Sequence, residues 1–214
     1  MAEEIALQRI ISLSEYNDVR IHISCISTDG SVSLIRQAKQ KGLKITCDVA
    51  AYNLLLDDEW LNTFDSNYKV KPFLRTSKDI NALIEGIADG TIDAICSNHT
   101  PQDDETKKVE FDYASFGITA LETTFGILNK ALSGIVEVDK MIDLITVAPR
   151  NILSLKQSVI GEGELACLTI FDTEYDWHYN LDTTKSKSKN TPFHNFKLKG
   201  KAIAVVNNNQ LEFC

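Results

Sequence analysis

Few residues in this sequence are equipped for chemistry, and they are widely spaced. His22 and Cys25 lie in the segment Arg20 to Ser27 (RIHISCIS) and offer an imidazole and a thiolate to a metal. On an alternating strand, residues three apart point to opposite faces, and a cysteine on an apolar strand is ordinarily an inert core residue. His22 then reads as a structural histidine. Tyr52 and Asn53 follow a second apolar run. A phenol and a carboxamide are poor zinc ligands near neutral pH, so Tyr52 reads as a packing residue with a hydrogen-bonding tip. In Asn98-His99-Thr100-Pro101-Gln102 the Asn98 amide does not titrate in the useful range and shuttles no proton. His99 points away from the Asn98 side and reads as a structural hydrogen-bonding residue. Arg75 carries the fork that clamps a carboxylate, although an arginine at a strand–helix junction pairs structurally at least as often.

Composition narrows the classes of function. The 214 residues carry Lys+Arg 22 against Asp+Glu 30, a net charge of -8 that disfavours a nucleic-acid partner held through phosphates. With 43% hydrophobic and 24% charged residues the chain reads as globular rather than disordered. No apolar run approaches the roughly 18 residues of a membrane span, and the first residues (MAEEIALQRI) are too polar for a signal peptide. Five cysteines, odd in number and never in C-x-x-C spacing, fit a reducing, cytoplasmic setting better than a disulfide framework or a thiolate zinc site.

The elements that must position these residues show two textures. Up to about residue 155, helical and strand-like segments alternate. Helix is expected over 3–15, after the turn and N-cap of Thr28 to Ser31 through about Lys41, around Ile80 to Ile87, over Leu121 to Leu132 and from Val138 to Ile145, the last stopped near Pro149. Strands are expected over Arg20 to Ser27, Leu43 to Ala51 and Ile92 to Ser97, with a weaker extended piece near Tyr68 to Phe73. Such alternation argues for right-handed βαβ units and a parallel sheet. Beyond 155 come glycine turns and short strands over Leu165 to Phe171, Phe196 to Val206 and Leu211 to Phe213. A closed (β/α)8 barrel takes about 250 residues, so either an open sheet or half a barrel fits the first part. Counting alone leaves both open.

Consecutive stretches carry a resemblance. Ile21 to Gly30 (IHISCISTDG), Asn67 to Thr76 (NYKVKPFLRT), Gly86 to Pro101 (GIADGTIDAICSNHTP), Phe116 to Thr123 (FGITALET) and Ser186 to Phe193 (SKSKNTPF) together resemble the C-terminal half of a dihydroorotase of the amidohydrolase superfamily, closest to the long bacterial type. The resemblance is collinear from about residue 3 to the end. Allantoinases and dihydropyrimidinases share much of this outline. The resemblance implies an α/β fold: the C-terminal half of a TIM-type (β/α)8 barrel, about four βα units over residues 1–155. Strands five to eight would lie there, the weak piece near Lys69 being the seventh. A small β domain of the amidohydrolase type would follow over 156–214. The family's front-half ligands, an H-x-H pair and a bridging acidic or carboxylated residue, have no counterpart here, so the rest of the barrel would come from a longer protein or from elsewhere.

The family reaction is the reversible cyclisation of carbamoyl aspartate to dihydroorotate, with zinc acidifying water and an aspartate shuttling protons. By the resemblance, Cys25 stands where the family has a histidine ligand on strand five. Tyr52 stands within a Pro-His-His motif on strand six, read here as Ala51, Tyr52 and Asn53, and Asn98 stands at the aspartate of strand eight, which is both ligand and general acid/base. Lys71 and Gln102 replace substrate-contacting Asn and His, and Arg75 is retained. Three ligand positions changed together leave no binuclear centre, so neither a metal nor catalysis is expected. The leading expectation is an inactive dihydroorotase-like protein with a structural or regulatory role beside aspartate transcarbamoylase. An active amidohydrolase with a shifted or mononuclear site, its ligands coming from the missing half, is the alternative. A third reading is an anion-binding module in which Lys71, Arg75 and Gln102 line an emptied barrel mouth. Open barrel edges would also drive self-association.

Overall fold

The chain begins with helix α1 (Ala2–Asn17), strand β1 (Ile21–Ile23), helix α2 (Asp29–Gln40) and strand β2 (Ile45–Ala50) in a computed structural model that describes residues 1–208 and 210–214. Helix α3 (Ser77–Ala88) and strand β3 (Ala94–Cys96) come next. The start of α2 is dictated by Thr28, whose hydroxyl accepts from the Ser31 amide at 3.1 Å. The start of α3 is fixed by a reciprocal capping box between Thr76 and Asp79, a device of about 1 kcal/mol. Both helices turn back into strands through glycines at φ +81, Gly42 and Gly90, a conformation that costs a side-chain-bearing residue strain.

The three strands form one parallel sheet in the order β1-β2-β3. Ile21 pairs with Ile45 and His22 with Thr46, and Asp48 pairs with Ala94. The middle strand is buried almost throughout, as expected of a parallel sheet covered on both faces. Val32 and Ile35 of α2 and Leu83 and Ile87 of α3 join Val49 in the buried core.

Three expectations for this first part change. The piece near Tyr68 to Phe73 is not a strand: Ser66–Tyr68 is a 3-10 turn, and the residues after it are pinned by side chains. The Lys69 ammonium donates to the Phe111 and Asp112 carbonyls at 2.7 and 2.9 Å, and Pro72 has no N–H for a ladder. The expected strand from Arg20 to Ser27 ends at Ile23, because the Asp48 carboxylate draws the Cys25 amide out of the sheet at 2.8 Å and Cys25 takes φ +58. Nor does Pro149 stop the helical region. The break falls at Thr146, between α6 (Val138–Ile145) and α7 (Val147–Ile152), with α4 (Asp104–Lys107) and α5 (Thr124–Leu132) preceding them. Pro149 then sits in the first turn of α7, where no intrahelical N–H is required.

The last part is an antiparallel sheet of β4 (Leu168–His178), β5 (Lys197–Asn207) and β6 (Gln210–Phe213), in that order. β4 runs past the expected end at Phe171. It lies against α5, with the Phe125 and Phe171 rings 4.4 Å apart and Asn129 Nδ2 donating to the Thr173 and Lys199 carbonyls. Phe193, Tyr179 and Leu198 join the same buried cluster as Ile118 and Leu128.

Candidate functional site

A buried carboxylate organises the centre of the parallel sheet. Asp48 sits on β2, only 7% exposed, and a charge there demands partners. Its Oδ2 meets His22 Nε2 at 2.9 Å and accepts from Ser24 Oγ at 3.0 Å. Its Oδ1 accepts from the Cys25 amide at 2.8 Å and from Cys96 Sγ at 3.4 Å. His22 Nδ1 in turn contacts Thr46 Oγ1 at 2.9 Å. The two thiols of Cys25 and Cys96 are 3.5 Å apart. Their mutual hydrogen bond lowers the Cys25 pKa, while that contact, burial and the negative charge of Asp48 push Cys96 well above the thiol range. His22 and Cys25 therefore meet at one carboxylate even though they are three residues apart. Strand parity stops applying once the backbone leaves the sheet at Ser24.

Tyr52 and Asn98 form a second group. Tyr52 lies beyond the end of β2, in the 3-10 turn Ala51–Leu54, and is 1% exposed. Asn98 follows β3 with φ +43. Asn98 Nδ2 donates to Tyr52 Oη at 2.6 Å and to the Lys71 carbonyl at 2.9 Å. Burial pushes the Tyr52 phenol up, out of the range where it ionises. Neither group is an anionic or imidazole donor of the kind zinc prefers: the amide turns its Nδ2 to these partners, and the phenol keeps its proton. Two of the three positions that the resemblance makes metal ligands, Tyr52 and Asn98, are hydrogen-bonded to one another, and they do not fit a zinc pair of the family type.

The remaining residues singled out in the sequence are held by contacts of their own. Arg75 donates through Nε to Ser27 Oγ at 3.0 Å and through Nη2 to Glu3 at 3.4 Å. Glu3 also accepts from the Ser27 amide at 2.8 Å and from Ser31 Oγ at 2.6 Å, so its carboxylate ties α1 to the start of α2. The Lys71 side chain is exposed. Gln102 is anchored by its backbone, the amide donating to Asn190 Oδ1 at 3.1 Å and the carbonyl accepting from Ser188 Oγ. His99 Nδ1 accepts from the Ala120 and Leu121 amides at 3.1 and 3.2 Å, which caps the turn Leu121–Thr123 and leaves the ring proton of the neutral form on Nε2. This is the structural hydrogen bond that its position implies.

Asp48, Cys96 and Glu3 are not singled out by the sequence. A signal for Asp48 exists: it is the sole charge in Ile45–Ala50 (ITCDVA), and an isolated carboxylate in a buried run marks a bonded site. Cys96 carries no such signal, since its partner is 71 residues away.

No family model matches the sequence. The chain is 44% identical to a dihydroorotase of Thermoanaerobacter sp. (strain X514) over 214 residues, which is 99% of this chain and 49% of that protein. It is 40% identical to a dihydroorotase of Caldanaerobacter subterraneus subsp. tengcongensis over 99% of the chain and 49% of that protein. The chain thus spans about half the length of the curated relatives it matches. Among solved structures, the L-hydantoinase (dihydropyrimidinase) from Arthrobacter aurescens superposes with a TM-score of 0.90 at 21% identity, covering 99% of this chain and 49% of that one. An inactive dihydroorotase-like domain of a Chaetomium thermophilum CAD-like multifunctional protein superposes with a TM-score of 0.73 at 26% identity, covering 96% and 54%.

Proposed function

The chain is dihydroorotase-like in sequence from end to end, and from that premise we propose that it is a non-catalytic member of the group, with a structural or regulatory role beside an aspartate transcarbamoylase. The observation that carries the reading is the Asn98–Tyr52 hydrogen bond at 2.6 Å. Where the family reaction needs a carboxylate to hold metal and move a proton, this chain has an amide that does neither. The inactive dihydroorotase-like domain of similar shape supports the idea that this fold persists without the chemistry. In this reading residues 1–155 are the second half of a β/α barrel. β1, β2 and β3 are then three of its four strands, the pinned segment near Lys69 takes the place of the remaining one, and 156–214 form the accompanying β domain.

The test is direct. Purified protein supplied with zinc and carbamoyl aspartate forms no dihydroorotate above the uncatalysed background, and the reverse reaction is equally absent. Turnover that tracks with bound zinc sinks the proposal and supports the alternative, an active zinc amidohydrolase whose ligands come from another segment. Co-purification with aspartate transcarbamoylase, or its failure, tests the partner separately.

A further inference from the structure

We propose that Cys25, Cys96 and Asp48 together form a site for one soft divalent cation of the zinc class. This site is distinct from the positions that the resemblance assigns to a catalytic pair, of which it uses Cys25 alone. The donors come from the interior of β2, the end of β3 and the segment just after β1, and they converge: Sγ of Cys25, Sγ of Cys96 and a carboxylate oxygen of Asp48 all lie within 4.8 Å of one another. In a tetrahedral zinc site, Zn–S bonds near 2.3 Å and Zn–O bonds of about 2.0–2.2 Å place two sulfurs about 3.8 Å apart and a sulfur and an oxygen about 3.6 Å apart. The observed edges, 3.5 Å between the sulfurs and 3.4 Å from Cys96 Sγ to Asp48 Oδ1, are within a few tenths of an ångström of that figure. The third edge, between Cys25 Sγ and a carboxylate oxygen of Asp48, lies within 4.8 Å.

The carboxylate is already aimed. His22 and Ser24 hold Oδ2, which leaves Oδ1 facing the cysteines; a carboxylate–histidine pair of this kind orients ligands in metal sites. Two thiolates select zinc or cadmium over magnesium or calcium. A cleft of about 230 Å³ lined by His22, Asp48, Cys96, Pro149 and Ile152 reaches two of the three donors, and a solvent or ligand donor entering through it would complete the coordination.

The chain carrying Cys167→Ser and Cys214→Ser, which removes the two exposed thiols, is titrated with cobalt(II) as a coloured stand-in for zinc. One equivalent binds and gives sulfur-to-cobalt charge-transfer absorption. Cys25→Ser or Cys96→Ser abolishes that band, and His22→Ala weakens affinity by about 10–100-fold. Absence of the band, or its survival in the Cys25→Ser/Cys96→Ser double variant, overturns the proposal. Should the serine variants fail to fold, alkylation of the unsubstituted chain decides. Cadmium protects Cys25 and Cys96 but not Cys167 from iodoacetamide, mapped by mass spectrometry, and equal labelling with and without cadmium overturns the site.

Discussion

Asn98 can be interrogated by the substitution that restores the family's residue. Asn98→Asp replaces a donor to Tyr52 Oη and the Lys71 carbonyl with an acceptor, so the Lys71 carbonyl faces a carboxylate without a donor and the Tyr52 hydroxyl must turn to give its own hydrogen. The loss is about 1–3 kcal/mol in urea unfolding, with no gain of dihydroorotate formation, because one carboxylate does not rebuild a ligand set. Turnover by this single variant would show that the rest of the centre is intact. Lys107 is the second residue to probe. It is 3% exposed, and its ammonium donates to the carbonyls of Ser66, Ser115 and Gly117. Burial lowers its pKa from the ordinary 10.5 to about 8, with Asp65 opposing the shift and Lys69 adding to it. Below pH 8 both folded and unfolded chains hold the proton, and the folded chain bears the cost of a buried charge. Between 8 and 10.5 the folded chain sheds it while the unfolded chain keeps it, so the Lys107 contribution to stability grows as pH rises through that window. Denaturation of Lys107→Met and the unsubstituted chain at pH 7 and pH 10 measures this. The stability difference between them shifts in favour of lysine at pH 10, and a shift in favour of methionine contradicts the assignment.

Helix α1 is held at the scale of elements by one carboxylate. Ile5, Leu13 and Tyr16 are exposed along it, and Leu7 and Ser14 are its buried positions, so apolar burial contributes modestly. Glu3 supplies what packing does not, taking hydrogen bonds from Ser27, Ser31 and Arg75. Glu3→Ala strands the Ser27 amide and frees Arg75, at a cost of about 1–3 kcal/mol. Hydrogen exchange then accelerates in α1 before it does in α3, which keeps its own capping box. Equal acceleration throughout would mean that α1 is held by something other than Glu3. Legibility at this scale tracks the chemistry of the termini: α2 begins and ends close to where Thr28 and Gly42 put it, and α3 ends close to Gly90. The segment after Tyr68 imitates a strand because its apolar residues alternate, while its position is held by a buried lysine that bonds carbonyls some 40 residues later.

The whole molecule presents a parallel sheet with β1 and β3 at its margins, and among the described residues neither pairs on its outer side with a further strand. Unpaired parallel edges are templates for association. Sedimentation of the chain is expected to give species heavier than the 23.9 kDa monomer, dissociating on dilution, and a monodisperse monomer at high concentration counts against this. Among the described residues no helix is long and apolar enough to cross a membrane. The antiparallel sheet is joined to the rest through Phe125, Phe171 and Asn129, so Phe125→Ala, which empties that contact, lowers stability by about 3–5 kcal/mol.

The α/β alternation, the positions of most helices and the unsuitability of Asn98 as a proton carrier were determined by the sequence alone, since period, capping and side-chain chemistry are local properties. The group that Tyr52 and Asn98 make, and the meeting of His22, Cys25 and Cys96 at Asp48, were decided by tertiary structure. A buried carboxylate draws donors from whatever segments lie beside it, and spacing along the chain carries no record of which those are.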